Sequence, residues 1–319
     1  MQNDFSRRRF LTKAGVVAGI ATCTDSHMSG ASPAPARAMR LGGPVFVNSN
    51  DPAVLAKAHR ALGYRAAYAP RDLEVKDRDR ITALAKEFAS QEVVFAEVGA
   101  FKNMLDPDPE KRRQNIAWVT ERLAIAELLG ARNCVDIAGS YNPDVWYGQH
   151  PNNLSLEFQE ATVETCRKVI DAVKPKRTVF SIEMMPWCLP TGPDEYLTLI
   201  KAIDRKAFGV HLDVCNTMNT PLRLYRNGAV IHECFAKLGR WIASCHAKDL
   251  QWGPGVQMYV QEVIPGTGII DYKTFLQELS QLPIDAPLML EHLHSEGDYT
   301  RGREYIQNVA RSLGLSFGA

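Results

Sequence analysis

The sequence lacks features that define several classes of protein. It has no long basic run, and 37 Lys and Arg against 36 Asp and Glu leave a net charge of +1. A nucleic-acid-binding protein would need a positive surface, so we exclude that class of partner. The 22 Gly and 18 Pro follow no collagen-like repeat, and 45% of the residues are hydrophobic, too many for a disordered chain. We therefore expect a globular protein with a large core.

Cysteine is present but carries no recognisable pattern. The seven Cys are odd in number and include no C-x-x-C pair. This excludes a zinc ribbon and a disulfide framework, while leaving single disulfides open.

The first 38 residues have the three parts of an export signal. Residues 6–11 read SRRRFL, an apolar run covers 14–21, and residues 36–38 read ARA, which fits a small-residue cleavage site. The arginine pair followed by Phe-Leu resembles a twin-arginine signal, which the twin-arginine export machinery reads. We predict a signal peptide and linker over 1–38, a periplasmic or exported protein, and no membrane span in the mature chain. An alternative is a lipid anchor at Cys23.

From residue 40 onward, apolar runs of strand length alternate with longer segments of helical period. The predicted strands are 40–47, 64–69, 93–99, 133–138, 178–183, 208–213, 241–248 and 287–293. The predicted helices are 52–62, 76–90, 110–129, 155–173, 193–204, 228–238, 271–281 and 299–313. Eight β-α units in about 280 residues is the size of a (β/α)8 TIM barrel. No linker or repeat divides this part, so we predict one α/β domain over 39–319.

Local signals support the barrel. Gly130 follows an apolar helical segment, as a left-handed helix end requires, and Asp271 is placed as a helix N-cap. A doubly wound sheet usually has a glycine-rich phosphate turn after its first strand, whereas glycines 42–43 lie inside the predicted strand. Residues 250–270 form a long predicted loop, which we expect to be a lid or substrate wall.

Four consecutive predicted strands end on a side chain that can bind a metal. These residues are Glu183, Asp213, His246 and Glu291. Because side chains alternate along a strand, all four are expected to point inward at the C-terminal face, where TIM-barrel active sites lie. Three carboxylates so close together are costly to ionise without a divalent cation. Three oxygens and one nitrogen suit Mn²⁺, Mg²⁺ or Co²⁺, with Zn²⁺ as an alternative.

The segments around these four residues resemble the xylose isomerase-like TIM-barrel superfamily, which contains sugar phosphate isomerases and epimerases. They read SIE ending at Glu183, HLD at Asp213, CHAKD around His246, and LEH around Glu291, and the likeness covers most of residues 40–315. The resemblance implies one divalent metal on these four residues, commonly manganese. It also implies that Glu183 and Glu291 double as the acid/base pair.

Two positions depart from the family pattern. Asn216 stands where a His often follows the sixth-strand Asp, and Leu189 stands where ketose epimerases carry a second Glu. The superfamily also contains endonuclease IV, which needs further His and Asp residues as zinc ligands. The second and third predicted strands do not supply them. A DNA-repair role is therefore disfavoured.

Four further residues are predicted to bind the substrate. Glu97 contacts sugar hydroxyls or forms a buried ion pair, and Trp187 stacks on a sugar or packs in a loop. Asn216 takes the place of the family His. Lys248 binds a substrate oxygen or the enediolate, with simple solvation as the alternative.

These residues predict a divalent-metal-dependent sugar isomerase or epimerase. One Glu removes the proton next to a carbonyl, an enediolate forms, and the other Glu returns a proton. Loss of a β-substituent instead would make the protein a 3-keto-glycoside lyase. An exported, non-catalytic sugar-binding protein is the alternative of another class, although structural metal sites tend to close their coordination shell. The sequence leaves open which sugar is bound and whether the chain forms a homo-oligomer.

Overall fold

The computed structural model describes residues 38–318 of the chain, so Cys23 and all but the last residue of the predicted signal peptide lie outside the described residues. The barrel strands are β1 (Leu41–Gly42), β2 (Ala66–Tyr68), β3 (Val94–Gly99), β4 (Asn133–Ile137), β5 (Val179–Glu183), β6 (Val210–Leu212), β7 (Ile242–Ala247) and β10 (Leu288–Leu290). All neighbouring pairs are parallel, and the ring closes between β10 and β1. The predicted single-domain (β/α)8 barrel is confirmed.

Helices connect the strands and surround the barrel. They are α1 (Pro52–Ala61), α2 (Arg78–Ser90), α3 (Pro109–Leu129), α4 (Leu156–Val173), α5 (Pro193–Ile203), α6 (Pro221–Tyr225), α7 (Asn227–Leu238), α8 (Tyr272–Ser280) and α9 (Glu296–Ser312). Each predicted helix is present with ends within three residues of the prediction. The five-residue α6 was not predicted.

The helix ends follow the local chemistry of the sequence. Asp271 accepts a hydrogen bond from the Thr274 amide at 3.1 Å and caps α8, as predicted. Gly130 ends α3 with φ of 69°, which confirms the left-handed cap. Asp51 and Asp108 cap α1 and α3, and each is followed by a proline whose fixed φ suits the first helical position.

Alternation along the strands separates the barrel interior from the helix layer. The residues that precede the four predicted ligands, Ile182, Leu212, Cys245 and Leu290, are fully buried in the main hydrophobic cluster. The ligands themselves therefore point to the opposite side of each strand. Burying these apolar side chains under the helices fixes which way the polar ones face.

The predicted first strand was too long, and a hairpin was not predicted. The first strand pairs only over Leu41–Gly42, because Pro44 cannot donate a ladder hydrogen bond and the chain leaves the barrel there. The predicted loop 250–270 instead contains an antiparallel hairpin of β8 (Asp249–Trp252) and β9 (Val260–Val263). Its two strands are joined by a segment containing Gly-Pro-Gly, a turn-forming composition.

Two absences hold within residues 38–318. The six cysteines of this region are all buried and free. Burial raises the pKa of the Cys188 and Cys234 thiols to about 12, so both stay protonated at ordinary pH. No helix in the described residues is both long and apolar enough to cross a membrane.

Candidate metal centre and active site

The four strand-end residues meet at one point of the barrel mouth. One ligand atom from each of Glu183, Asp213, His246 and Glu291 lies within 4.8 Å of the others. His246 Nδ1 is the common neighbour. It lies 2.8 Å from Glu291 Oε2, 3.5 Å from Glu183 Oε1 and 3.7 Å from Asp213 Oδ2. The strand ends of β5, β6, β7 and β10 thus bring three carboxylates and one imidazole together.

Buried polar atoms of this cluster that complete no hydrogen bond fit a cation. Within the described part of the chain, Asp213 Oδ2, His246 Nδ1 and Glu291 Oε2 are buried and complete no hydrogen bond. Lys248 Nζ lies 2.8 Å from that Asp213 oxygen and 2.9 Å from that Glu291 oxygen, and so offsets one of the carboxylate charges. The three carboxylates retain two negative charges, which match a divalent ion. The donor set and the charge therefore suit a metal.

The charges in the cluster perturb one another strongly. Burial opposes the ionisation of Asp213, but Lys248 and His246 outweigh burial and hold its pKa below the usual range. Burial likewise opposes a charge on His246, yet Glu291 and Glu97 raise its pKa well above the ordinary value. A proton and a metal ion therefore compete for the imidazole nitrogen.

Glu97 lies behind His246 on β3. Its Oε2 is 3.1 Å from His246 Nε2, and its Oε1 is 3.3 Å from His211 Nδ1. Burial opposes ionisation of Glu97, but the two histidines lower its pKa to about 2. Of the two roles predicted for Glu97, the structure therefore contains the buried ion pair. A carboxylate behind a metal-binding histidine fixes the orientation of the ring, so Glu97 aims Nδ1 at the cluster.

A network of polar side chains fills the barrel next to this pair. His211 Nδ1 lies 2.8 Å from Ser244 Oγ, which also accepts from Asn133 Nδ2 at 3.2 Å. Ser181 Oγ donates to Asn133 Oδ1 at 2.8 Å. The hydrogen bonds of this buried network restrict the side chains that form them, and the network contacts the His211–Glu97–His246 line through His211.

The other predicted substrate residues occupy two different settings. Asn216 Nδ2 donates to Glu183 Oε1 at 2.9 Å, and Lys248 is only 4% exposed, so both contact the ligand cluster itself. Trp187 instead donates its indole N–H to the Tyr147 carbonyl at 2.6 Å, which ties two loops together. Substrate contact by these residues stays a prediction.

His292 was not among the predicted site residues. It follows Glu291 directly and has a φ of 57°, a left-handed conformation that is uncommon for residues other than Gly. Its Nε2 lies 3.3 Å from Glu291 Oε1, and its Nδ1 lies 2.9 Å from Glu262 Oε2 on β9. His292 therefore connects the β8–β9 hairpin to a member of the cluster. Its position next to Glu291 was the only sequence signal for this role.

A cavity of about 800 Å³ opens beside the cluster. Glu291 and Glu97 form part of its wall, and the remainder comes mainly from the loops after β1, β2 and β3. Aromatic side chains line it at Tyr68, Phe101, Trp118 and Tyr299. The other three ligand residues do not line this cavity, nor do Trp187, Asn216 or Lys248. The sequence predicted the residues of the cluster but not this pocket.

Comparison with known proteins places the fold. The family profile described as "Xylose isomerase-like TIM barrel" matches residues 55–309. A search of curated proteins finds no match. Among solved structures, endonuclease IV from Thermus thermophilus aligns with a TM-score of 0.64 and 17% identity over 86% of this chain and 99% of that chain.

Two other solved structures are similar to the same extent. The 3-keto-D-glucoside 4-epimerase YcjR from E. coli aligns with a TM-score of 0.61 and 13% identity over 85% of this chain and 99% of that chain. A xylose isomerase-like TIM-barrel protein from Mycobacterium smegmatis, in complex with magnesium, aligns with a TM-score of 0.58 and 20% identity over 82% and 88%. Because a nuclease and an epimerase match equally well, these alignments establish the fold and not the reaction.

Proposed function

The chain belongs to the xylose isomerase-like TIM barrel family, and from that premise we propose that it is a metal-dependent sugar isomerase or epimerase. The observation that carries this proposal is the placement of Glu183 and Glu291. Both carboxylates face the same nitrogen of His246, yet they come from strands separated by β6 and β7 around the barrel. A substrate bound above that nitrogen would have a carboxylate on either side.

The proposed metal ligands are the four residues of the cluster, Glu183, Asp213, His246 and Glu291. Their hard donor set makes Mn²⁺ our first choice, with Mg²⁺, Co²⁺ and Zn²⁺ as alternatives. When bound, the cation supplies polarisation of a substrate carbonyl, which acidifies the neighbouring C–H. Lys248 keeps the remaining charge of the pocket low and presents an ammonium beside Asp213 and Glu291.

The chain's own residues then move the proton. One of Glu183 and Glu291 begins as the carboxylate and accepts this proton, and the other begins as the neutral acid and donates its own proton to the sugar. Asn216 fixes one oxygen of Glu183, and His292 lies against one oxygen of Glu291. Return to the opposite face of the same carbon gives an epimer, and return to the adjacent carbon gives an isomer.

A lyase acting on 3-keto-glycosides by β-elimination is the second candidate, and the cavity favours it. About 800 Å³ lies in the range of pockets that take drug-sized ligands. Such a space accommodates a leaving group attached to the sugar. A non-catalytic sugar-binding protein would use the same space without needing two carboxylates beside one metal.

Hydrogen exchange distinguishes these candidates. The Mn²⁺-loaded protein is incubated in D₂O with ketoses, aldoses and 3-keto-glycosides, and deuterium beside the carbonyl is followed by NMR. We expect exchange with at least one sugar and its loss in Glu183→Gln and Glu291→Gln, while Glu278→Gln, on the surface helix α8, retains it. Release of the group attached to a 3-keto-glycoside would assign the lyase. Sugar binding without exchange in any case would refute an enzyme.

For localisation, we propose export by the twin-arginine pathway, on the sequence of residues 6–11 alone. Replacing Arg7 and Arg8 with Lys should retain the protein in the cytoplasm of its producing cell. Cell fractionation measures this, and undiminished export of the variant would contradict the assignment.

A further inference from the structure

The cavity beside Glu291 carries cations that the proposed reaction does not use. Arg71 and Lys102 line it, and within residues 38–318 neither has a carboxylate within 4.0 Å. Arg80 lines the same cavity but pairs with Asp72 through two bonds of 2.8 and 3.2 Å. Of the three Arg and Lys side chains in the lining, two are therefore uncompensated.

A buried arginine holds the loop that carries Arg71. Arg122 of α3 is 1% exposed, and its guanidinium donates only to backbone carbonyls among the described residues. The acceptors are Pro70, Arg71 and Leu73 after β2 and Gly99 at the end of β3, at 2.9 to 3.4 Å. Arg122 thus ties the two loops together and adds a fixed positive charge behind them.

The loop that carries Lys102 is held from the other side. The Lys102 amide donates to Asp136 Oδ1 at 3.0 Å, and the Trp118 indole donates to the Ala100 carbonyl at 3.1 Å. Lys102 Nζ lies 5.8 Å from the Trp118 ring centroid. Burial raises the pKa of Asp136 well above its usual value, which disfavours a negative charge on this carboxyl beneath the Lys102 loop.

The acids of the cavity lie elsewhere and are already engaged. They are Glu97, paired with His211 and His246, and Glu291, in the ligand cluster. Among the lining residues, the acids therefore lie on β3 and at Glu291, beside the ligand cluster, and the unpaired cations lie in the loops after β2 and β3. These unpaired cations favour a negatively charged group on a bound ligand.

We propose that Arg71 and Lys102 form an anion subsite, which takes a carboxylate or phosphate at the end of the substrate remote from the metal ligands. The inference rests on the proposed function, because it specifies an acidic sugar or sugar conjugate as the substrate class. The aromatic wall, including Phe101 and Tyr299, packs against the body of that molecule.

Equilibrium binding tests this proposal independently of catalysis. The full chain is titrated calorimetrically with glucuronate, glucose 6-phosphate and glucose, with and without added Mn²⁺. We expect at least one acid to bind about tenfold or more tightly than glucose, with an affinity that falls as salt is added. The acid that binds more tightly identifies the carboxylate or the phosphate as the preferred group.

Variants localise the effect. Arg71→Ala and Lys102→Ala should each weaken binding of the acid about tenfold, the factor typical of losing one charge-assisted hydrogen bond, and leave glucose binding unchanged. Arg80→Ala is the matched control, because its charge is already paired, and should change affinity less than about twofold. Equal binding of glucose and both acids, no binding of either acid, or an equal loss in Arg80→Ala would overturn the subsite. Failure of hydrogen exchange alone would refute the proposed reaction and leave the subsite intact.

Discussion

The two sides of the barrel mouth are built in different ways. On the side of β5, β6, β7 and β10, single residues at strand ends converge until their ligand atoms lie within 4.8 Å of one another. On the side of β1, β2 and β3, loops stand apart and leave a cavity of about 800 Å³. The first side is acidic and buried, whereas the second exposes Arg71 and Lys102.

This difference separates the proposed metal site from the proposed anion subsite. Strands fix the positions of the proposed metal ligands, because the pleat and the apolar residue before each ligand set the direction of its side chain. The cavity walls depend on loops, which Arg122 and Asp136 hold in place through hydrogen bonds to the loop backbone. Glu97 belongs to both sides, since it orients His246 and lines the cavity. Five predictions test how independent the two sides are.

Removing a ligand should have the largest effect. We expect Asp213→Ala to lower metal affinity by more than about a hundredfold, beyond the 10- to 100-fold typical of residues behind the ligands. Metal content after dialysis measures this. Asp171→Ala, which removes an exposed carboxylate paired with Arg205, is the control. Full metal occupancy in Asp213→Ala would show that the cluster is not the metal site.

Removing the buried arginine should destabilise the cavity side. Arg122→Met leaves the carbonyls after β2 and β3 without their donor, so we expect a loss of about 2–4 kcal/mol of unfolding free energy. Urea unfolding measures the loss. Arg113→Met on the exposed face of the same helix should change stability by less than about 0.5 kcal/mol. If the folded Arg122→Met protein also loses its metal, the two sides are not independent.

Neutralising the residue shared by both sides should have an intermediate effect. Glu97→Gln keeps the shape of the side chain but loses the charge that holds His246, so metal affinity should fall about 10- to 100-fold. Titration with Mn²⁺ against a competing chelator provides the measurement. Glu92→Gln, an exposed surface partner of Arg65, serves as the control. An unchanged affinity would mean that Glu97 serves the cavity alone.

Acid should weaken metal binding. The neighbouring carboxylates raise the pKa of His246 although burial opposes it, so a proton on Nδ1 is favoured below that raised pKa and must leave when the metal binds. Affinity should therefore fall by up to about tenfold for each pH unit in that range. Chelator competition at a series of pH values measures the slope. A flat profile would place the metal away from His246.

Changing the buried Asp136 carboxyl under the Lys102 loop should have the smallest effect. The folded-state pKa of Asp136 is raised by burial, so its favourable contribution is complete below the unfolded value and is lost as pH rises toward the folded value. Asp136→Asn keeps the acceptor for the Lys102 amide, so we expect it to be neutral or up to about 1 kcal/mol more stable at neutral pH. Urea unfolding across pH should show less decline for the variant than for the wild type. A decline as steep in the variant would assign the pH dependence to another group.

Much of the fold could be predicted because its determinants are local. Eight of the nine described helices were predicted from their period, and Gly130 and Asp271 end and begin helices as their chemistry requires, whereas the five-residue α6 was missed. The predicted end of the first strand was wrong because the chain leaves the sheet at Pro44. The β8–β9 hairpin within residues 250–270 was not predicted. Pairing within a loop depends on how that loop packs, which its composition indicates only weakly.

The sequence by itself determined the barrel and the side chains that form the cluster. Alternation with a period of two, together with one apolar residue before each ligand, is enough to aim four polar groups at one axis. The tertiary structure alone decided that Glu97 stands behind His246, 149 residues away in the chain, and that Arg122 joins the loops after β2 and β3. The reason is that side-chain alternation is a property of residues adjacent in the chain. A cavity forms only where loops that are distant in the chain enclose the same space.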